Sequence, residues 1–145
     1  MSAAGSSAQH DMAASPATRS LAFLLVEDDP LLRMSLADVV MDMGHRVVEA
    51  ATAAEALDHL SQNSGIEVLL TDVGLPVMDG RELADRARNV RPDLRIIFAT
   101  GYSAARVPDP AEDSKSRCLR KPFGPKELKA ALESLGLPGT HTPST

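Results

Sequence analysis

Five short apolar runs alternate along this chain with segments whose apolar residues recur at helical spacing. The runs are LAFLLV (Leu21 to Val26), RVVEA (Arg46 to Ala50), IEVLLT (Ile66 to Thr71), LRIIFAT (Leu94 to Thr100) and RCLR (Arg117 to Arg120). Strands that alternate with helices in this way form a parallel sheet, because each parallel connection needs a crossover that a helix supplies. The alternation predicts a doubly wound α/β domain with a five-stranded parallel sheet and helices on both faces.

The helical segments carry recognisable signals at their ends. Pro30 suits a first helical position, and Gly44 is placed to end that helix. Thr52 and Glu55 form a capping-box pattern at the start of the second segment. Four helices are predicted from apolar stripes at 32–43, 53–60, 83–90 and 128–135. The fourth connection contains Pro108 and Pro110, which favour a short or distorted helix and a mobile face there.

The composition limits the domain count and the kinds of partner. A chain of 145 residues is long enough for one core, and we assign that domain to residues 21–136. Residues 1–20 read as a disordered leader and 137–145 as a flexible tail, and no apolar run is long enough to cross a bilayer. A net charge of -5 without a cluster of Lys and Arg argues against direct DNA binding. One cysteine and no secretory signal indicate the cytoplasm.

Charged and hydroxyl side chains follow four of the five predicted strands. In doubly wound folds, function collects at the carboxyl ends of the strands, so these side chains are expected to share one crevice. They are Glu27, Asp28 and Asp29 after the first strand, Asp72 after the third, Thr100 after the fourth and Lys121 after the fifth.

This combination of groups suits a magnesium ion and a phosphoryl group. Crowded carboxylates repel one another, and Mg²⁺ prefers carboxylates, waters and phosphate oxygens as ligands. Lys121 and Thr100 supply a cation and a hydroxyl donor for phosphoryl oxygens. Asp72 is the candidate nucleophile, because it follows the most apolar strand and because Val73 and Gly74 place little bulk beside it. The Gly74 carbonyl is placed to face the metal.

Four motifs occur in order: LLVEDDPLLR, LLTDVGLPVMDG, FATGYS and RKPF. Together they resemble the receiver domain of the response regulators of bacterial two-component signalling, over roughly residues 21–136. The FATGY pattern is similar to a subgroup common in hybrid histidine kinases and in free-standing regulators. The resemblance implies the strand order 2-1-3-4-5, and the absence of an output domain after Gly136 leads us to expect a free-standing module that signals by protein contact.

The resemblance also implies roles for individual residues. Asp72 would accept a phosphoryl group from a phosphohistidine, carried by a histidine kinase or a histidine phosphotransfer protein. Glu27, Asp28 and Asp72 would hold Mg²⁺, while Thr100 and Lys121 would bind the phosphoryl oxygens. Such a domain is not an enzyme beyond catalysing its own aspartyl phosphorylation and dephosphorylation. A downstream protein partner is implied, and the domain is expected to be a monomer or a weak homodimer.

One position departs from the family pattern. Many receivers have Tyr or Phe three residues before the lysine, where the ring moves as the threonine turns toward the phosphoryl group. This chain has Cys118 there, which is too small to act in the same way. Tyr102 is the nearest aromatic residue, and we hypothesise that it takes over part of the switch with Thr100. The family also implies a cis bond between Lys121 and Pro122.

Some of these residues also have ordinary structural explanations. Asp29 is equally well explained as a helix N-cap, and Asp79 with Gly80 as a turn. Cys118 is expected to pack as a small residue beside the last helix. The four histidines have no metal-ligand spacing and are expected to face solvent; they are His10, His45, His59 and His141.

Two other functions compete with the phosphorelay interpretation. A dehalogenase-like, Mg²⁺-dependent phosphohydrolase also uses an aspartate nucleophile, a hydroxyl and a lysine. That class places its nucleophile after the first strand in an Asp-x-Asp arrangement, whereas this chain has EDDP there. A pseudo-receiver that binds partners without phosphorylation is the second alternative, although every residue of the expected site is present.

Overall fold

The computed structural model describes residues 20–101 and 114–138, which form five strands and four helices. The strands are β1 (Ala22–Val26), β2 (Arg46–Ala50), β3 (Val68–Asp72), β4 (Arg95–Thr100) and β5 (Ser116–Arg120). The helices are α1 (Pro30–Asp42), α2 (Ala53–Gln62), α3 (Gly80–Val90) and α4 (Pro125–Ser134). Every strand pair is parallel and the order is β2-β1-β3-β4-β5, which confirms the predicted doubly wound fold.

Short polar side chains determine where three of the helices begin. Asp29 caps α1 by accepting from the backbone N–H of Leu31 at 3.0 Å, which confirms its structural role. Thr52 caps α2 by accepting from the N–H of Glu55 at 3.1 Å. Asp79 is the N-cap of α3 rather than only a turn residue, since it accepts from Glu82 N–H at 2.9 Å.

Helices on the two faces of the sheet bury two separate apolar layers. One layer joins α1 and α4 to the sheet through residues such as Val40 and Leu132, and the other joins α2 and α3 through residues such as Leu60 and Leu83. The central strands β1 and β3 contribute alternate side chains to both layers, which explains why their runs are continuously apolar. The two apolar layers therefore position the carboxyl ends of β1 and β3 in the interior of the sheet.

His45 does not face solvent as expected. It is 4% exposed, its Nδ1 accepts a hydrogen bond from the N–H of Leu21 at 2.9 Å, and its ring lies 5.3 Å from that of Phe23. The expectation failed because a ring nitrogen can satisfy a backbone donor at the start of a buried strand. His45 thus belongs to the core.

Several sequence predictions fall on residues outside the described ranges. The connection with Pro108 and Pro110 and the proposed switch residue Tyr102 lie between β4 and β5 in 102–113. Most of the predicted leader and tail is also outside, while Leu137 packs against the core and donates to the Leu132 carbonyl at 2.9 Å. Among residues 20–101 and 114–138, none of the helices combines the length and the hydropathy that a membrane span requires.

Candidate functional site

Three carboxylates meet at the carboxyl edge of the sheet. Glu27 directly follows β1, Asp28 is the next residue, and Asp72 is the last residue of β3, which pairs with β1. One oxygen from each of these side chains lies within 4.8 Å of the others. Hard oxygen donors at this spacing fit a small divalent cation, so the donor set agrees with a magnesium site.

Lys121 reaches this carboxylate cluster from the far edge of the sheet. Its Nζ lies 3.3 Å from Glu27 Oε1 and 3.4 Å from Asp72 Oδ1. The Lys121 and Asp72 side chains are each 15% exposed, so the interaction takes place largely shielded from water. A cation at this position partly offsets the repulsion between the carboxylates and can also meet an oxygen of a group attached to Asp72.

Glu27 is the most buried member of the cluster, at 2% exposure. Burial raises the pKa of its carboxyl, and the charge of Asp72 raises it further. The N–H of Asp29, which donates to Oε2 at 3.2 Å, and the ammonium of Lys121 oppose this rise in pKa. A nearby divalent cation would favour the charged form of Glu27, because its positive charge stabilises the carboxylate and offsets the charge of Asp72.

The loop after β3 packs tightly against the backbone of Asp72. A Cβ atom at Gly80 would overlap the Asp72 carbonyl oxygen, so only glycine allows α3 to start this close to the strand end. The Gly80 N–H donates to the Val73 carbonyl at 2.8 Å. By contrast, a Cβ at Gly74 would meet no atom within 4 Å, and its N–H donates to Asp72 Oδ1 at 3.2 Å. Sequence reasoning treated Gly80 as a simple turn residue and missed this close approach.

Thr100 ends β4 beside the cluster and is 5% exposed. Its carbonyl accepts from the Lys121 N–H at 2.7 Å, which ties the two predicted phosphoryl-binding residues together through the backbone. The peptide bond between Lys121 and Pro122 is cis, as the family resemblance implied.

Cys118 does not pack beside the last helix, so that expectation is wrong. Side chains alternate along β5, and Leu119 packs with the layer that contains α4, while Ser116 contacts Arg88 of α3. Cys118 is exposed and lies on the same face of β5 as Ser116. Its Sγ lies 3.9 Å from Thr100 Oγ1. The position that usually carries an aromatic ring therefore carries a thiol in direct contact with the Thr100 hydroxyl.

Arg33 is a site neighbour that sequence reasoning missed. Its Nη1 donates to the Glu27 carbonyl at 2.8 Å, and its Nε donates to Glu49 Oε1 at 3.3 Å. The sequence does contain a sign that Arg33 lies near the site, because it is the one basic residue of α1 and belongs to the LLVEDDPLLR motif.

Comparisons with known proteins agree with this arrangement. The family described as the response regulator receiver domain matches residues 23–133. The response regulator receiver protein CpdR of Brucella abortus is 37% identical over 113 residues, which cover 77% of this chain and 93% of CpdR. The sensor kinase CckA of the same species is 34% identical over 121 residues, which cover 80% of this chain and 12% of the kinase. The crystal structure of a CheY-like receiver protein from Methanospirillum hungatei matches with a TM-score of 0.68 and 30% identity, covering 81% of this chain and 95% of the other.

A parallel sheet in the order 2-1-3-4-5, with carboxylates and a lysine at its carboxyl edge, defines a class of α/β signalling domains. The family match covers most of the chain, and this protein belongs to the response regulator receiver domain family. Its function is that of a receiver domain in two-component signalling. Members of this family are in general signalling modules rather than true enzymes.

Proposed function

We propose that Asp72 is the phosphoacceptor of this receiver and that Glu27, Asp28, Thr100 and Lys121 serve it. The observation that carries this proposal is the position of Lys121 Nζ, 3.4 Å from Asp72 Oδ1, beside carboxylates whose oxygens lie within 4.8 Å of one another. A carboxylate oxygen next to a cation has the arrangement expected of a nucleophile that receives a phosphoryl group.

The metal in this proposal is Mg²⁺, held by Glu27, Asp28 and Asp72 with the backbone carbonyl of Gly74. When bound, it supplies positive charge that stabilises the equatorial oxygens of the transferring phosphoryl group. The carboxylates support this assignment, because three acids with only one lysine among them leave excess negative charge for a cation. Gly74 is exposed, and a Cβ atom there would meet no atom within 4 Å, so the backbone at this position leaves room for the metal ion.

The proposed transfer begins with attack of an Asp72 Oδ atom on the phosphorus of a phosphohistidine. The new O–P bond forms as the N–P bond breaks, and the electron pair of the broken bond stays on the imidazole nitrogen of the donor. Lys121 and the Thr100 hydroxyl then hold the phosphoryl oxygens. Attack of water on the phosphorus later returns Asp72 to a carboxylate and releases inorganic phosphate, so the domain catalyses only its own phosphorylation and dephosphorylation.

The proposed switch involves Thr100, Tyr102 and Cys118. The contact between the Cys118 thiol and the Thr100 hydroxyl supports it, because movement of Thr100 toward a phosphoryl group would break this contact. A thiol is too small to follow that movement as a ring does. We therefore assign to Tyr102, two residues beyond Thr100, the part of the switch that reports phosphorylation to the surface.

The proposed donor is a histidine kinase or a histidine phosphotransfer protein, and the output is contact with a downstream protein. The likeness to both a single-domain receiver and the receiver segment of a sensor kinase supports a place in such a relay. We propose no direct DNA contact, action in the cytoplasm, and a monomer or weak homodimer. No contact in the described residues favours the phosphohydrolase or the pseudo-receiver.

The test is incubation with acetyl phosphate and Mg²⁺, followed by intact mass. We expect one hydroxylamine-labile phosphoryl adduct, absent in Asp72→Asn and retained in the matched variant Asp79→Asn. Asp79 is a suitable control because it lies in the same loop and its capping role tolerates asparagine. No adduct on the wild-type chain, or an adduct that persists in Asp72→Asn, would overturn the proposal.

A further inference from the structure

Arg33 joins the first turn of α1 to the carboxyl end of β1. Its guanidinium donates through Nη1 to the Glu27 carbonyl at 2.8 Å and through Nε to Glu49 Oε1 on β2 at 3.3 Å. The side chain is 22% exposed, so most of its length is packed, whereas Glu49 is 46% exposed. The contact with the carbonyl is the shorter of the two and lies in the more buried surroundings.

Among the described residues, those other than Arg33 form hydrogen bonds with the backbone N–H and the carboxylate of Glu27 but not with its backbone carbonyl. The Glu27 N–H donates to the Ala50 carbonyl at 3.2 Å. Its carboxylate accepts from Lys121 Nζ at 3.3 Å and from the Asp29 N–H at 3.2 Å. Arg33 donates to the backbone carbonyl oxygen of Glu27, the polar atom left over. This hydrogen bond fixes the plane of the peptide between residues 27 and 28.

The orientation of that peptide matters most for Asp28. Asp28 is exposed, and no described residue forms a hydrogen bond or an ion pair with its carboxylate. The direction of this carboxylate therefore depends on the backbone that carries it. A rotation of the preceding peptide would turn the Asp28 oxygen away from those of Glu27 and Asp72, although the carboxylates themselves would be unchanged.

We propose that Arg33 is a positioning residue for the magnesium site, acting through the Glu27 carbonyl and the peptide that links the two acidic residues. This inference rests on the proposed function, since it takes Glu27 and Asp28 as metal ligands. Residues that orient metal ligands, without touching the metal, typically contribute 10- to 100-fold to metal affinity. Arg33 has the contacts of such a residue.

The charge of Arg33 alone would have the opposite effect. A guanidinium beside a cation site repels the cation, so its removal should tighten binding if electrostatics were its main influence. If positioning dominates, its removal weakens binding despite the lost repulsion. The sign of the change in Mg²⁺ affinity therefore separates the two effects.

The experiment measures Mg²⁺ affinity of the full chain by calorimetry, with amide spectra to follow the carboxyl ends of β1 and β3. Arg33→Lys keeps the charge but loses the forked donor, and Arg33→Met loses both. We expect the dissociation constant to rise about 10-fold or more in each. Glu49→Gln is the matched control, since it removes the surface ion pair and leaves the carbonyl contact; its affinity should stay within about twofold of the wild type.

Unchanged or tighter Mg²⁺ binding by Arg33→Met, or equal weakening by Glu49→Gln, would overturn the inference. Arg33→Lys keeps most of the aliphatic stem, and urea unfolding in EDTA establishes that it is folded before Mg²⁺ is added. A second readout is the rate of phosphorylation by acetyl phosphate against Mg²⁺ concentration: positioning predicts a higher half-saturating concentration with a preserved plateau. A wild-type chain that binds no Mg²⁺ would refute the proposed function, whereas a wild type that binds and an Arg33→Met variant that binds equally well refutes only the role of Arg33.

Discussion

Lys121 Nζ lies 3.3 Å from Glu27 Oε1, although 94 positions separate the two residues along the chain. The pair joins the end of β5, at the edge of the sheet, to the end of β1 in its centre. The same ammonium lies 3.4 Å from Asp72 Oδ1, so one cation serves two carboxylates. This shared ion pair is the feature that makes the strand ends a single site.

Removal of Lys121 is expected to destabilise the metal-free domain. In Lys121→Met, Glu27 and Asp72 would face each other without a cation, and loss of one partner of a largely buried pair costs up to about 3 kcal/mol. Urea unfolding in EDTA measures this loss, with Lys126→Met as an exposed control. Added Mg²⁺ should restore more stability to Lys121→Met than to the wild type, because the metal replaces the missing charge. Equal stability of the two variants in EDTA would contradict this prediction.

The stability of the metal-free domain should depend on pH through Glu27. Burial raises the pKa of this carboxyl from its ordinary value of 4.5, so the folded state binds its proton more tightly than the unfolded state. The contribution of Glu27 to the free energy of unfolding is fully present below its ordinary pKa. This contribution is lost as the pH rises through the pKa that Glu27 has in the folded state. Compared with Glu27→Gln, the wild type should therefore become less stable as pH is raised above 4.5, as measured by denaturant unfolding in EDTA.

Glu127 provides a control of opposite sign. The Gly124 N–H, which donates to Glu127 Oε1 at 2.9 Å, holds the pKa of that carboxyl below its ordinary value. Its contribution to stability is present above the ordinary pKa and is lost as pH falls through the lower folded pKa. Compared with Glu127→Gln, the wild type should lose stability on acidification. The same direction of change for both glutamates would show that burial of Glu27 does not control its titration.

Gly80→Ala should disturb the proposed phosphorylation site more than Gly74→Ala. The new Cβ at Gly80 would overlap the Asp72 carbonyl oxygen, and the backbone must move to relieve that contact. Forced overpacking of this kind costs roughly 1–3 kcal/mol, even though alanine is the better helix former. The same methyl at Gly74 meets no atom within 4 Å. Thermal unfolding and the rate of acetyl phosphate labelling measure both effects, and a Gly80→Ala variant as stable and as reactive as Gly74→Ala would refute the close approach.

Tyr102→Ala tests the proposed switch. We expect Asp72 still to be phosphorylated, because Tyr102 is not assigned to hold the phosphoryl group, while the phosphorylation-dependent amide shifts of β4 and β5 become smaller. Cys118→Ala is the companion variant, since it removes the thiol that contacts the Thr100 hydroxyl at 3.9 Å. If Tyr102→Ala is phosphorylated like the wild type and its amide shifts in β4 and β5 are also as large as those of the wild type, Tyr102 has no role in the switch.

Much of the fold was predictable because its signals are local. Short apolar runs indicated all five strands, and the Thr52 and Glu55 pattern marked the start of α2. The placement of His45 failed because its burial depends on the start of β1, which lies far away in sequence but adjacent in the sheet. The residues next to His45 in the sequence do not indicate that a backbone N–H from a distant segment will donate to its ring.

The amino-acid pattern alone determined the order of elements and the chemical groups at the strand ends, since periodicity and residue type are properties of short segments. It also placed Asp72 and Lys121 at those ends. Only the tertiary structure decided which groups touch: Arg33 on the Glu27 carbonyl, the Gly80 backbone against Asp72, and Cys118 on the face of β5 away from α4. These contacts depend on distances of a few ångströms between segments far apart in the chain, which strand register and helix packing set and local sequence does not encode.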